Sequence, residues 1–177
     1  MRSRALHALD DKSAAYSAVC AAIENDPTLA EAYWHRAFIH LHTLRDVERA
    51  HRDYAEAVRL DPAFFWAHAD WGEMCMELED FEAAISHFTD ALHVRPAASV
   101  TRSNRAFCLM QLGRYDEAIS DYSLIIEDQP DQVRAYYARG TTYFEMGDYA
   151  AALADFDQSI RLNPNHADDY CNRGCTY

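Results

Sequence analysis

The sequence is short of the residues that build tight backbone cradles and covalent cross-links. Its 177 residues include five glycines, five prolines and five cysteines. There is no glycine-rich phosphate loop, nucleophile elbow or zinc-protease helix motif, so nothing positions the acid, base, nucleophile or cofactor that an enzyme requires. The chain reads as non-catalytic and free of cofactor. The cysteines, at 20, 75, 108, 171 and 175, are odd in number and scattered, unlike a disulfide framework, so a reducing and therefore cytoplasmic setting is expected. No apolar run reaches the 18 residues of a transmembrane candidate. The first residues, MRSRALHALDDKSAAY, place acidic side chains after the basic ones before any useful apolar run, so no secretory signal is visible. Positive charge is scarce too: 16 Lys plus Arg against 29 Asp plus Glu gives −13. That balance argues against nucleic acid or an anionic membrane as partner, since both draw on clustered basic residues.

What the chain does have is a period. Prolines stand at 27, 62, 96, 130 and 164, separated by 35, 34, 34 and 34 residues, and such an interval means stacked supersecondary units. Apolar residues recur at helical spacing between the prolines, and each proline ends a helix that its ring cannot continue. The expected division is a partial unit over 1–29, full units over 30–62, 65–96, 99–130 and 133–164, and a truncated unit over 167–177. Each full unit is two helices of about 14 residues, roughly 21 Å long. The turns fall at Arg45-Asp46, Glu79-Asp80, Gly113-Arg114 and Gly147-Asp148. Aligning His35-Arg36-Ala37 with Ala138-Arg139-Gly140 places the one extra residue of the second unit within Phe38 to Leu44. No strand pattern interrupts the series. The chain is read as all α, one array in which each unit touches its neighbours.

Columns of this repeat carry physical meaning. Ala15, Ala50, Ala84, Ala118 and Ala152 fall early in each second helix, where a methyl group permits close helix approach. One turn later come Val19, Tyr54, Phe88, Tyr122 and Phe156, a core stripe rather than a cofactor box. Arg36, Arg105 and Arg139 sit in first helices, with Asp53, Asp121 and Asp155 in the second helices of the same units, 17, 16 and 16 residues on. The third unit lacks both members and has Trp71 and His87 instead. This covariation within one chain predicts an Arg to Asp fork clamping the two helices of a unit.

The pattern Tyr136, Arg139-Gly140, Tyr143, Gly147, Tyr149, Ala152, Phe156 and Pro164 resembles a tetratricopeptide repeat, and the resemblance runs through nearly the whole chain. Arg45 and Glu79 depart from the family's turn glycine, and Ile125 and Ser159 fill a column that holds alanine elsewhere. The resemblance implies antiparallel helix pairs stacked into a right-handed α-solenoid, with first helices lining a concave surface that binds peptides. By register the groove candidates are Trp34, His35 and Phe38; Ala69, Asp70 and Glu73; Ser103, Asn104 and Phe107; Arg134, Tyr137, Ala138 and Thr141; and Cys171, Asn172 and Cys175. Aromatics that anchor and amides that pair with extended backbone suit a peptide.

One use of the family is the clamping of acidic chaperone tails by Lys, Asn and Arg on successive first helices. Asn104 matches the middle position, but Ala69, Glu73 and Ala138 stand where Lys, Asn and Arg are needed, with Arg134 the one substitute. Asp70 and Glu73 favour a basic or mixed apolar ligand instead. No metal site is expected. His40 and His42 are two residues apart and diverge around a helix, while Cys171 and Cys175 share a face but supply two ligands where zinc needs more. The reading is a protein-interaction module. The alternative is a scaffold that self-associates through its incomplete ends, near Tyr170 and Tyr177, or the recruiting arm of a larger protein.

Overall fold

The structure, a computed structural model, describes residues 2–164 and 167–176; the side chains of 2–12, 167–169 and 171 lie outside that description. Cys171 and Tyr177, considered above, therefore fall outside it. Among the described residues every regular element is helical. The first, α1, runs unbroken over Arg2–Asn25 and packs on α2. Helix pairs follow: α2 (Ala30–Ile39) with α3 (Val47–Leu60), α4 (Phe65–Glu77) with α5 (Phe81–Val94), α6 (Ser99–Gln111) with α7 (Tyr115–Asp128), and α8 (Val133–Met146) with α9 (Tyr149–Leu162). A short α10, Ala167–Cys175, packs on α9. Each second helix also packs on the next first helix, and first helices touch in series, α2 to α4 to α6 to α8.

Each proline lies two residues beyond a helix end, and the first four are straddled by the same tight turn. The amide of Leu29, Phe64, Ala98 or Gln132 donates to the carbonyl three residues back, across Pro27, Pro62, Pro96 or Pro130 respectively. Asp46, Asp80 and Asp148 then cap the second helices by accepting the amides of Arg49, Ala83 and Ala151 at 3.0 to 3.2 Å. In the fourth unit Arg114 replaces the aspartate and makes no such cap.

The alanine column is buried completely at 50, 84, 118 and 152, as are Tyr54 and Phe88, with Phe156 and Tyr122 nearly so. Facing the ring column are Ala37, Gly72, Ala106 and Gly140. A Cβ on Gly72 would stand 2.7 Å from the Phe88 ring, so at that point the helices approach too closely for alanine.

The extra residue of the second unit is absorbed by a π-helical turn over His40–Leu44, one residue wider than an α-turn. The closing bond shows the count directly. Asp46 N donates to the His40 carbonyl six residues back, whereas Asp80, Arg114 and Asp148 reach back five, to Cys75, Leu109 and Tyr143. This turn tucks His40 inward, 2% exposed, with its Nε2 3.6 Å from Asp53 and its ring edge-on to Tyr16. Burial pushes the His40 pKa below the ordinary histidine value.

The forks are present as the covariation implied. Arg36 grips Asp53, Arg105 grips Asp121 and Arg139 grips Asp155, each through two nitrogens at 2.7 to 2.8 Å. Two of these arginines also reach the preceding unit: Arg105 Nη1 donates to Thr89 Oγ1 at 3.1 Å and Arg139 Nη1 to Ser123 Oγ at 2.8 Å. In the third unit Trp71 stacks on His87, ring centroids 3.9 Å apart, and its Nε1 donates to His51 Nδ1 at 3.2 Å. Burial beside this stack lowers the His87 pKa to about 4, which leaves the ring neutral at neutral pH.

Candidate functional site

The surface made by α2, α4, α6 and α8 holds most of the residues picked out by register, and hydrogen bonds tie them across helices. Trp34 on α2 donates its indole N–H to Asp70 on α4 at 2.8 Å. Asn104 on α6 donates to Glu73, one turn further along α4, at 3.2 Å. Around the first contact Trp34 packs on His35 at 4.4 Å and edge-on against Phe64 at 5.5 Å, while Phe38 lies 4.3 Å from the His42 ring. The result is one continuous track of aromatic and polar groups over three successive first helices.

The track is acidic at its middle. Asp70 is held above the usual carboxylate range because burial removes water from it, an effect that the Trp34 hydrogen bond only partly offsets. Glu73 is raised by desolvation and then by the neighbouring charges of Asp70 and Glu77. The two carboxylates stand one turn apart on α4, Asp70 half-buried and Glu73 exposed, and concentrate negative charge at this point of the surface.

Towards the C-terminus the track opens into a cleft of about 960 Å³ between α6 and α8. Ser103, Asn104 and Phe107 line one wall and Arg134, Tyr137 and Ala138 the other. Phe107 is 40% exposed, with Phe81 edge-on behind it at 6.3 Å. Tyr137 is half-buried, leans on Phe156 and accepts a hydrogen bond from Asn172 Nδ2 at 3.1 Å. Asp131 and Arg134 supply opposite charges at the rim. The cleft is therefore mixed in charge and largely apolar at its walls.

One register candidate, Ala69, serves another end. Ala69 is not available to a ligand: it is 6% exposed and packs with Phe65 and Ala91 beneath the surface. Thr141 sits a turn beyond Tyr137 and donates its hydroxyl to the Tyr137 carbonyl at 3.0 Å. Cys75 and Cys108 are buried thiols raised to about 11 by desolvation, so they are unreactive packing groups. Cys20, Cys75, Cys108 and Cys175 are unpaired by disulfide. Among the described residues no helix is long and apolar enough to cross a membrane.

Two features escaped the register argument. Thr89 and Ser123, which link the forks between units, share one column of the repeat, each 16 residues before its arginine, as Asp157 stands before Arg173, while Ala55 precedes Trp71 where the arginine is missing. His68, His87 and Asp90 bring three ligand atoms within 4.8 Å of one another. His87 and Asp90 are three residues apart on α5, a spacing that a search among histidines and cysteines alone passes over, while His68 comes from α4, 19 and 22 positions earlier.

Comparison with known proteins agrees with this architecture. None of the curated proteins compared matches the chain in sequence. Among solved structures, YrrB, described as a tetratricopeptide-repeat protein with an unusual peptide-binding site, superposes with a TM-score of 0.83 at 22% identity, over 97% of this chain and 88% of its own. MamA from Desulfovibrio magneticus RS-1, from position 41 to its end, gives 0.74 at 20% identity, over 83% of this chain and 82% of its own. The first repeat domain of Spaghetti (RPAP3), bound to the HSP90 peptide SRMEEVD, gives 0.60 at 21% identity, over 63% of this chain and 89% of its own. Likeness at these identities is likeness of fold. Tetratricopeptide-repeat sequence profiles match residues 75–140 and 133–166, so that the two matches together span more than half of the 177 residues, and with helix pairs, forks and prolines in the same register, the chain belongs to the tetratricopeptide-repeat family.

Proposed function

We propose that this chain is a non-catalytic interaction module that binds an extended or helical segment of a partner protein along the first-helix surface, with a basic group of that segment against Asp70 and Glu73. One observation carries the reading: the track Trp34, Asp70, Glu73, Asn104 runs without a break into the cleft at Phe107 and Tyr137. A ligand lying on it meets a half-buried and an exposed carboxylate first and apolar walls second. A Lys or Arg followed by apolar side chains satisfies both. The similarity to YrrB supports a peptide ligand in general terms. The acidic tail held by the Spaghetti repeat is a poor model for the charge, since a carboxylate brought to Glu73 would be repelled. The net charge of −13 speaks against nucleic acid and anionic membrane as partners, and the unpaired cysteines suit a cytoplasmic setting.

The test is a fluorescence titration with labelled peptides of matched apolar content, carrying either Lys and Arg or Asp and Glu. Basic peptides should bind at least tenfold more tightly. Phe107→Ala and Asp70→Asn should each weaken that binding while leaving the helical circular dichroism unchanged. Equal binding of acidic peptides would defeat the charge assignment. A fold lost in Phe107→Ala would show that the side chain is core. Binding that appears only with a rise in particle mass at high concentration would favour self-association through the array ends.

A further inference from the structure

The third unit differs from its neighbours in more than its missing fork. His68 on α4 is 7% exposed, and its Nε2 lies 3.1 Å from the Pro62 carbonyl oxygen. A carbonyl can only accept, so Nε2 bears the hydrogen, and in the neutral ring Nδ1 carries the lone pair. That Nδ1 is buried, has no hydrogen-bond partner and stands 3.9 Å from Asp90 Oδ2 on α5. That lone pair and the carboxylate face each other across a gap too long for a hydrogen bond and are reconciled by a cation between them. His87, one turn before Asp90, brings a second imidazole whose Nδ1 is buried without a hydrogen-bond partner, and the ligand atoms of the three residues lie within 4.8 Å of one another. A backbone carbonyl holding the far nitrogen is how ligating histidines are oriented in metal sites.

We propose that His68, His87 and Asp90 form a binding site for a divalent first-row transition cation of the Zn²⁺ type. Two imidazoles and a carboxylate are a suitable ligand set and leave one position for water. Ligands at about 2.0 to 2.1 Å from zinc stand roughly 3.3 Å apart, so the group must contract. Asp90 can supply the movement, since its side chain is 52% exposed at the rim. Metal binds in the plane of the His87 ring, which leaves the ring face on Trp71 undisturbed. An entry path exists: Pro62, Ala63, His68, Asp90, His93 and Val94 line an open cleft of about 540 Å³. A cation here would tie α4 to α5 in the one full unit that has no Arg to Asp fork to do so.

The experiment uses full-length, tag-free protein, stripped with chelator and titrated with ZnCl₂ by calorimetry and with CoCl₂ by visible absorption. One equivalent should bind and raise the thermal midpoint. Asp90→Asn, at the exposed rim, should weaken binding at least tenfold without altering the apo fold. His87→Phe, which keeps a ring on Trp71, should do the same. His42→Ala, a histidine outside the cluster and against Phe38, should leave binding unchanged. No uptake by the unaltered protein, equal affinity in Asp90→Asn and His87→Phe, or loss of binding in His42→Ala would each overturn the site.

Discussion

At the scale of single residues the most consequential contact is the fork between Arg139 and Asp155. Asp155 is 6% exposed and receives both guanidinium nitrogens at 2.8 Å. The pair raises the arginine pKa further, chiefly through this hydrogen bonding. Removing only the cation strands a buried carboxylate, which costs about 3 to 5 kcal/mol. Arg139→Ala should therefore destabilise the array by that amount in urea titrations. Arg139→Trp combined with Asp155→His, the combination found at Trp71 and His87, should recover part of the loss. A single mutant within 0.5 kcal/mol of the parent would mean that the fork contributes nothing. This contact was readable in advance because both partners lie in one unit and change together. Thr89 and Ser123 were not, because they stand in the unit before the arginine they meet, 16 residues earlier, where a comparison within single units does not look.

At the scale of elements, turns decide where the array is under strain. Arg45 and Glu79 adopt left-handed backbone, φ +56° and +60°, at positions where Gly113 and Gly147 do so elsewhere. A side chain there costs roughly 1 to 2 kcal/mol, whereas glycine adopts the conformation freely. Arg45→Gly and Glu79→Gly should each stabilise the protein by about 1 kcal/mol, seen as a higher urea midpoint with unchanged slope. A lower midpoint at either would show that the replaced side chain makes a compensating contact. The turns were located by the repeat spacing, and the extra residue was confined to Phe38 to Leu44. Its form as a π-helical turn that buries His40 depended on packing: widening the turn keeps both flanking helices in register with Ala50 and Asp53, which a loop bulge would not.

At the scale of the whole molecule, the groove couples binding to protons. Asp70 and Glu73 are raised in the folded chain. Between the ordinary carboxylate range and those raised values the folded state holds more protons than the unfolded one. Stability from these two groups is therefore greatest below that window and falls as pH rises through it. A cationic peptide brought beside them favours the ionised form, so its binding must release protons. Calorimetry at a series of pH values upward from the ordinary carboxylate range, in buffers of different ionisation enthalpy, should show net release, lost in Asp70→Asn with Glu73→Gln. Proton uptake, or no buffer dependence, would count against a basic ligand at this place.

The number of helix pairs, their order, the proline turns and the Arg to Asp forks all follow from residues at fixed spacing within one unit. Those interactions are local, so periodicity alone exposes them. The cleft between α6 and α8, the hydrogen-bonded track from Trp34 to Asn104, the burial of Ala69 and the meeting of His68, His87 and Asp90 arise otherwise. Each depends on the angle and distance at which helices stack, and those are settled by side-chain volumes summed over the core, such as the Gly72 to Phe88 approach. A linear pattern records which side chains face a neighbouring helix; the close packing of that neighbour sets what they meet.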